Sequence, residues 1–74
     1  MKKFNVNDEY NVYNQKENSL WSNVLVCTKR TNLFVHLEER DEHDNIVATY
    51  KRKIRHTPLT EYVYLNDECI VWAD

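Results

Sequence analysis

From Leu20 onward the apolar residues of this chain recur at every second position, and no window longer than a few residues carries the helical period of roughly 3.6. In residues 20–29, Val24, Val26 and Thr28 fall on one side of an extended chain and Leu25 and Cys27 on the other, so both sides are apolar, as in a central strand. In 33–39, Leu33, Val35 and Leu37 alternate with Phe34, His36 and Glu38, which predicts one core side and one wet side. In 46–55, Ala48, Tyr50 and Ile54 oppose Thr49, Lys51, Lys53 and Arg55, and Pro58 ends the run because it cannot donate to a ladder. Residues 61–65 and 69–73 read as a closing hairpin that turns over 66–68. A first strand is read over 4–6, broken by Asn7 and Asp8 and resuming over 10–13, with Val6, Tyr10 and Val12 facing inward. The pattern predicts six strands and an all-β fold.

Five or six short strands must do something about their exposed edges, and curling is the simplest answer. The expected architecture is therefore a small SH3-like barrel or a strongly bent antiparallel sheet. At 74 residues the chain has room for one domain, 1–74, with one core. Its 42% apolar content and 30% charge of mixed sign suit a chain that folds alone. Glycine is absent, so positions that need positive φ shift onto Asn or Asp, and Asn32, Asn45 and Asn66 are read as turn residues.

The same small size leaves little core to sacrifice for a deep pocket, which weighs against catalysis and against a small-molecule substrate. No glycine-rich phosphate loop exists, and neither Cys27 nor Cys69 has a cysteine or histidine at zinc-ligand spacing. Both cysteines sit in apolar runs and are expected to be reduced core thiols. His36, His43 and His56 are scattered, and Ser19 and Ser22 lack any nucleophile signature. The expectation is a protein that is not an enzyme and uses no metal or cofactor. Lys2 and Lys3 are followed by Asn5, Asn7, Asp8 and Glu9 rather than by an apolar run, which predicts no secretory signal, no membrane contact and a cytoplasmic protein.

One feature stands apart from the fold. Glu38, Glu39, Asp41, Glu42 and Asp44 precede Lys51, Arg52, Lys53, Arg55 and His56 across one predicted hairpin. With Asp44 and Asn45 as its central turn residues, Glu38 falls opposite Lys51, Val35 opposite Ile54 and His36 opposite Lys53. Charges so placed would pair across the strands and keep the hairpin soluble, each exposed pair contributing less than about 1 kcal/mol. Read instead as a binding surface, Lys29, Arg30, Lys51, Lys53 and Arg55 with Phe34 and His36 make a basic stripe with aromatic rings, which suits nucleic acid or a nucleoprotein. The net charge of −2 supplies no global attraction, so any such role needs a local patch. The acidic residues Glu38, Glu39, Asp41, Glu42 and Asp44 equally suit a protein partner. Any of Trp21, Tyr64 and Trp72 left exposed would be an anchor for one.

Through Val26-Cys27-Thr28-Lys29-Arg30-Thr31-Asn32-Leu33-Phe34-Val35-His36-Leu37, then Arg52-Lys53-Ile54, Glu61-Tyr62 and Ala73, the chain resembles a set of small uncharacterised proteins. Those are encoded on phages and other mobile elements of gut and Gram-positive bacteria. It departs from their pattern at Val6-Asn7-Asp8, which replaces a glycine-containing turn, and in a shortened loop between Tyr64 and Ile70. The resemblance implies an accessory protein of the host bacterial cytoplasm that acts by stoichiometric binding, and it supplies no site residues. Nucleic acid or a nucleoprotein is the leading partner. The alternative is an anti-CRISPR-like inhibitor that presents its acidic residues to a host defence protein as a nucleic-acid mimic.

Overall fold

A computed structural model describes residues 1–74. It contains seven strands: β1 (Glu9–Asn14), β2 (Ser19–Arg30), β3 (Phe34–Arg40), β4 (Ile46–Lys53), β5 (Arg55–His56), β6 (Glu61–Tyr64) and β7 (Cys69–Trp72). Every strand pairing is antiparallel, and together they make one sheet in the order β4-β3-β2-β1-β7-β6-β5. There are no helices, and so none long and apolar enough to cross a membrane.

β4 and β5 lie at opposite edges of the sheet, yet Ile54 alone separates them in the chain. One ribbon therefore serves both edges, and the sheet has to curl until they meet. The fold is an all-β half-barrel, a strongly bent antiparallel sheet, which is the alternative expected beside a small SH3-like barrel. Ile54 N donates to Leu33 O at 2.8 Å, which carries the β3–β4 pairing one residue further, up to the joint. Arg52 reaches over the seam, its Nε and Nη2 donating to Leu65 O at 3.1 and 2.9 Å.

The concave side holds the core. Tyr10 faces Leu25, Cys27 faces Leu37 and Val63 faces Val71 across their ladders, and all six are buried with Val12, Val35, Leu65 and Cys69. Both cysteines are unbridged, and burial pushes the Cys27 thiol up. Tyr50, Ile54 and Trp21 are half-buried against this cluster.

Several expectations need correction. The strands number seven rather than six because 46–55 divides at Ile54, and 4–6 is not a strand. Val6 is exposed, since Asn7 takes φ 75° and turns the chain there; the inward residue is Phe4. Leu33 is exposed because β3 begins only at Phe34, after a turn in which Thr31 Oγ1 accepts from Phe34 N at 3.0 Å. Positive φ does fall on Asn and Asp, at Asn7, Asn18 and Asp44; Asn66 is the turn residue expected, its Oδ1 accepting from Glu68 N and Cys69 N at 2.9 Å, but without positive φ. The β3–β4 register differs by two residues: Val35 faces Arg52, His36 faces Lys51 and Glu38 faces Thr49. The cause is a wider loop, in which Asp41 Oδ1 accepts from His43 N and Asn45 N, both at 2.9 Å, with a bulge between Glu39 and Arg40.

A buried ion pair stitches the two halves of the sheet. Glu61, at the start of β6, is 5% exposed. Its Oε2 accepts from Arg30 Nη2 at 2.6 Å, and its Oε1 accepts from Arg30 Nη1 and from Phe4 N, the latter at 2.9 Å. Arg30 Nη1 also donates to Phe4 O at 3.2 Å. This bidentate, charge-assisted arrangement joins the end of β2, the start of β6 and the N-terminal segment. It seats the Phe4 ring edge-on to Tyr10, with centroids 4.9 Å apart.

The Arg30 hydrogen bond holds the Glu61 carboxyl below the usual carboxylate range. Stability from this pair is therefore complete above the unfolded carboxylate value of about 4.3, and is lost as pH falls from there through the lower folded value. Glu61→Gln should destabilise the domain by about 3 kcal/mol, the lower end of the range for breaking a buried pair, because Arg30 keeps some contact with water. Urea titrations at neutral pH and near pH 3 should show that difference shrinking in acid, and a variant as stable as the parent at neutral pH would refute the role.

Candidate functional site

Opposite residues in an antiparallel ladder share a face, which identifies the outer surface of the half-barrel. Lys51 and Lys53 of β4 face His36 and Phe34 of β3, and Lys29 of β2 faces His36 from the other side. These residues lie opposite in parity to the buried Val35 and Leu37, so all are on the convex side. Arg55 continues the row beyond Ile54, paired with Tyr62 on the same face. Lys29, Lys51, Lys53 and Arg55 are exposed, and none of them pairs with a carboxylate. Two of them rest on rings: Lys51 Nζ lies 4.7 Å from the Phe34 centroid, and the Arg55 guanidinium 5.5 Å from that of Tyr64. Exposed contacts of this kind are worth about 0.5–1 kcal/mol, weak enough to be exchanged for a ligand. A shallow depression of about 420 Å³, lined by Thr28, His36, Glu38, Thr49 and Lys51 among others, runs along the same face.

Arg30 does not join this row. It faces Val35 on the concave side, and its guanidinium is held by Glu61 and Phe4. Arg52 likewise points inward, over the Tyr50 ring at 5.2 Å and onto Leu65 O.

The acidic residues are mostly engaged by their own hairpin. Arg40 pairs with Glu38 and Asp44, both at 2.8 Å. Glu39 accepts from Tyr50 Oη at 2.7 Å and from Asn23 Nδ2 at 2.8 Å. Asp41 caps its loop, and those backbone N–H groups hold its carboxyl below the ordinary value. Glu42 has only the exposed His43 beside it, at 3.6 Å. The cross-strand ladder of opposite charges predicted from the sequence is not formed, because the shifted register sets Glu38 against Thr49 and Lys51 against His36.

A second feature of the outer face escapes a reading by charge. Tyr62, Tyr64, Ile70 and Trp72 are opposite in parity to the buried Val63 and Val71. Ile70 is covered, lying between its ladder partners Tyr13 and Tyr64. Tyr62 packs against Trp72 at 4.8 Å and edge-on against Tyr64 at 5.7 Å. Tyr64 and Trp72 remain 40% and 37% exposed, while Trp21 is half-buried against the core. Tyr62 was legible only as a member of a strand.

The largest depression, about 880 Å³, lies beyond Trp72 and mixes Lys2 and Lys3 with Asp8, Glu9 and Asp74. His43 lies in the β3–β4 loop and His56 at the end of β5, both exposed, and no three His, Cys, Asp or Glu side chains group as metal ligands would. Comparison of the chain with protein-family models, curated proteins and solved structures returned no match.

Burial and the hydrogen bond to Glu39 together push the Tyr50 hydroxyl up to about 12. An alkaline absorbance titration should therefore show a tyrosinate component near that pH which Tyr50→Phe reduces. Burial also raises the Tyr10 hydroxyl, so the test is the loss of one tyrosine's amplitude from that component, and an unchanged amplitude in the variant would mean that Tyr50 is not held by Glu39.

Proposed function

We propose that this chain is a non-catalytic binding module that holds nucleic acid, alone or within a nucleoprotein, on the outer face of β2 to β5. The observation that carries the reading is the row Lys29, Lys51, Lys53 and Arg55, four exposed cations without a carboxylate partner, beside Phe34 and His36. Phosphates would meet the ammonium and guanidinium groups, and condensed counterions would be released as they did so. The net charge of −2 does not oppose this, because at physiological salt a charge acts over only about 8 Å, the hairpin tip lies at the far end of β3 and β4, and Glu38, which lines the same depression as Lys51, is paired with Arg40.

The acidic-mimic alternative is the weaker reading. A mimic must offer its carboxylates to a partner, whereas Glu38, Glu39, Asp41 and Asp44 all have partners within their own neighbourhood. In the setting that the resemblance to mobile-element proteins implies, the module would serve element maintenance in the cytoplasm of a bacterial host.

Fluorescence anisotropy with a labelled oligonucleotide at several salt concentrations tests the proposal. Affinity should fall steeply with salt, and changing Lys51, Lys53 and Arg55 together to Ala should lower the slope by roughly one unit per lost phosphate contact without unfolding the domain. No binding at low salt would overturn the reading.

A further inference from the structure

We infer that the ligand is single-stranded nucleic acid, and that Tyr64 and Trp72 form the second half of its site by stacking on unpaired bases. This deepens the nucleic-acid reading above and rests on it. The ribbon that carries Lys51, Lys53 and Arg55 on its outer side crosses from β4 into β5 and delivers Arg55 directly onto Tyr64. At about 3.3 Å per residue, Lys51 and Arg55 are roughly 13 Å apart along the ribbon. Each end of the row has a cation over an aromatic ring, Lys51 on Phe34 and Arg55 on Tyr64. Beyond Tyr64 the rings continue through Tyr62 to Trp72.

The chemistry of these residues selects the occupant. Ile70 beneath them is already covered, so the outward surfaces of Tyr64 and Trp72 are surplus to the domain's own packing. Rings beside cations that pair with no carboxylate complement a polyanion that also has π-faces. Bases in a duplex are stacked on one another and present only their edges, whereas those of a single strand expose the faces that Tyr and Trp can take up. When a strand binds, Lys51 and Arg55 would exchange their rings for phosphates, leaving Phe34 and Tyr64 to the bases.

The test compares a labelled single-stranded DNA of mixed sequence with the same sequence as a duplex, at low salt. Single strand should bind at least roughly ten-fold more tightly than duplex, and Tyr64→Leu and Trp72→Leu should each weaken single-strand binding by roughly thirty-fold, the middle of the range for loss of a stacked base. The salt slope should not change in either variant, because neither ring neutralises a phosphate. Tyr64→Phe, which keeps the ring over Ile70, should retain the parent affinity; equal loss in the Phe and Leu variants would overturn stacking. In a Trp21→Phe background Trp72 is the one indole, so its fluorescence should be quenched by the single strand, and an unchanged signal at saturation would overturn the inference without relying on the Leu variants folding. Equal affinity for both forms, together with loss in the Lys51, Lys53 and Arg55 variant, would overturn the stacking inference and leave the basic-row reading standing. No binding of either form would overturn both.

Discussion

The seam at which the sheet curls back on itself governs the rest of this structure. A seven-stranded sheet of such short strands would leave β4 and β5 as open edges, but both belong to one ribbon, and side chains rather than a ladder bridge the seam. Arg52 ties β4 to the end of β6, and the Arg30–Glu61 pair ties the end of β2 to the start of β6 with the backbone of Phe4 between them. A buried ion pair adds little net stability compared with well-packed apolar groups, yet losing one partner strands the other.

That closure is also what assembles the outer surface. Lys51 and Lys53 stand on one side of the joint, and Arg55 with Tyr62, Tyr64 and Trp72 on the other. Ile54 alone separates Lys53 from Arg55, so the continuous ribbon carries the cations of β4 directly to the rings of β6 and β7. The β3–β4 hairpin separates its charges along its length: near its tip Glu38, Glu39, Asp41 and Asp44 are engaged by Arg40, Tyr50, Asn23 and the loop backbone, and the cations near its base have no carboxylate partner. A protein with a slightly negative total can thereby carry a local positive row.

Much of the fold was legible because a strand's period is two, and that period survives errors of detail. The β3–β4 register differs from expectation by two residues, an even step, so Lys51 and Lys53 still face outward although their partners change. Arg30 shows where residue type misleads. It is adjacent to Lys29 in one strand, and adjacent strand residues point to opposite faces, so only one of the two can belong to an outer row. The aromatic half of the site was less legible. In both β6 and β7 the alternate positions are apolar on either face, Val63 and Val71 against Tyr62, Tyr64, Ile70 and Trp72, and alternation alone does not say which set turns inward. The N-terminal segment was misread because Asn7 reverses the chain at positive φ, and the contact that places Phe4 comes from Glu61, far along the sequence.

The central claim is that the convex face built around the seam is the binding surface, with its cations and rings acting as one site. Amide chemical-shift mapping of the labelled protein during titration with a short single-stranded DNA tests this most directly. The account predicts shifts concentrated at Lys29, Phe34, His36, Lys51, Lys53, Arg55, Tyr64 and Trp72, with Glu42 and His43 at the hairpin tip unmoved. Shifts centred on the tip, or confined to the groove lined by Lys2, Lys3 and Asp74, would contradict it.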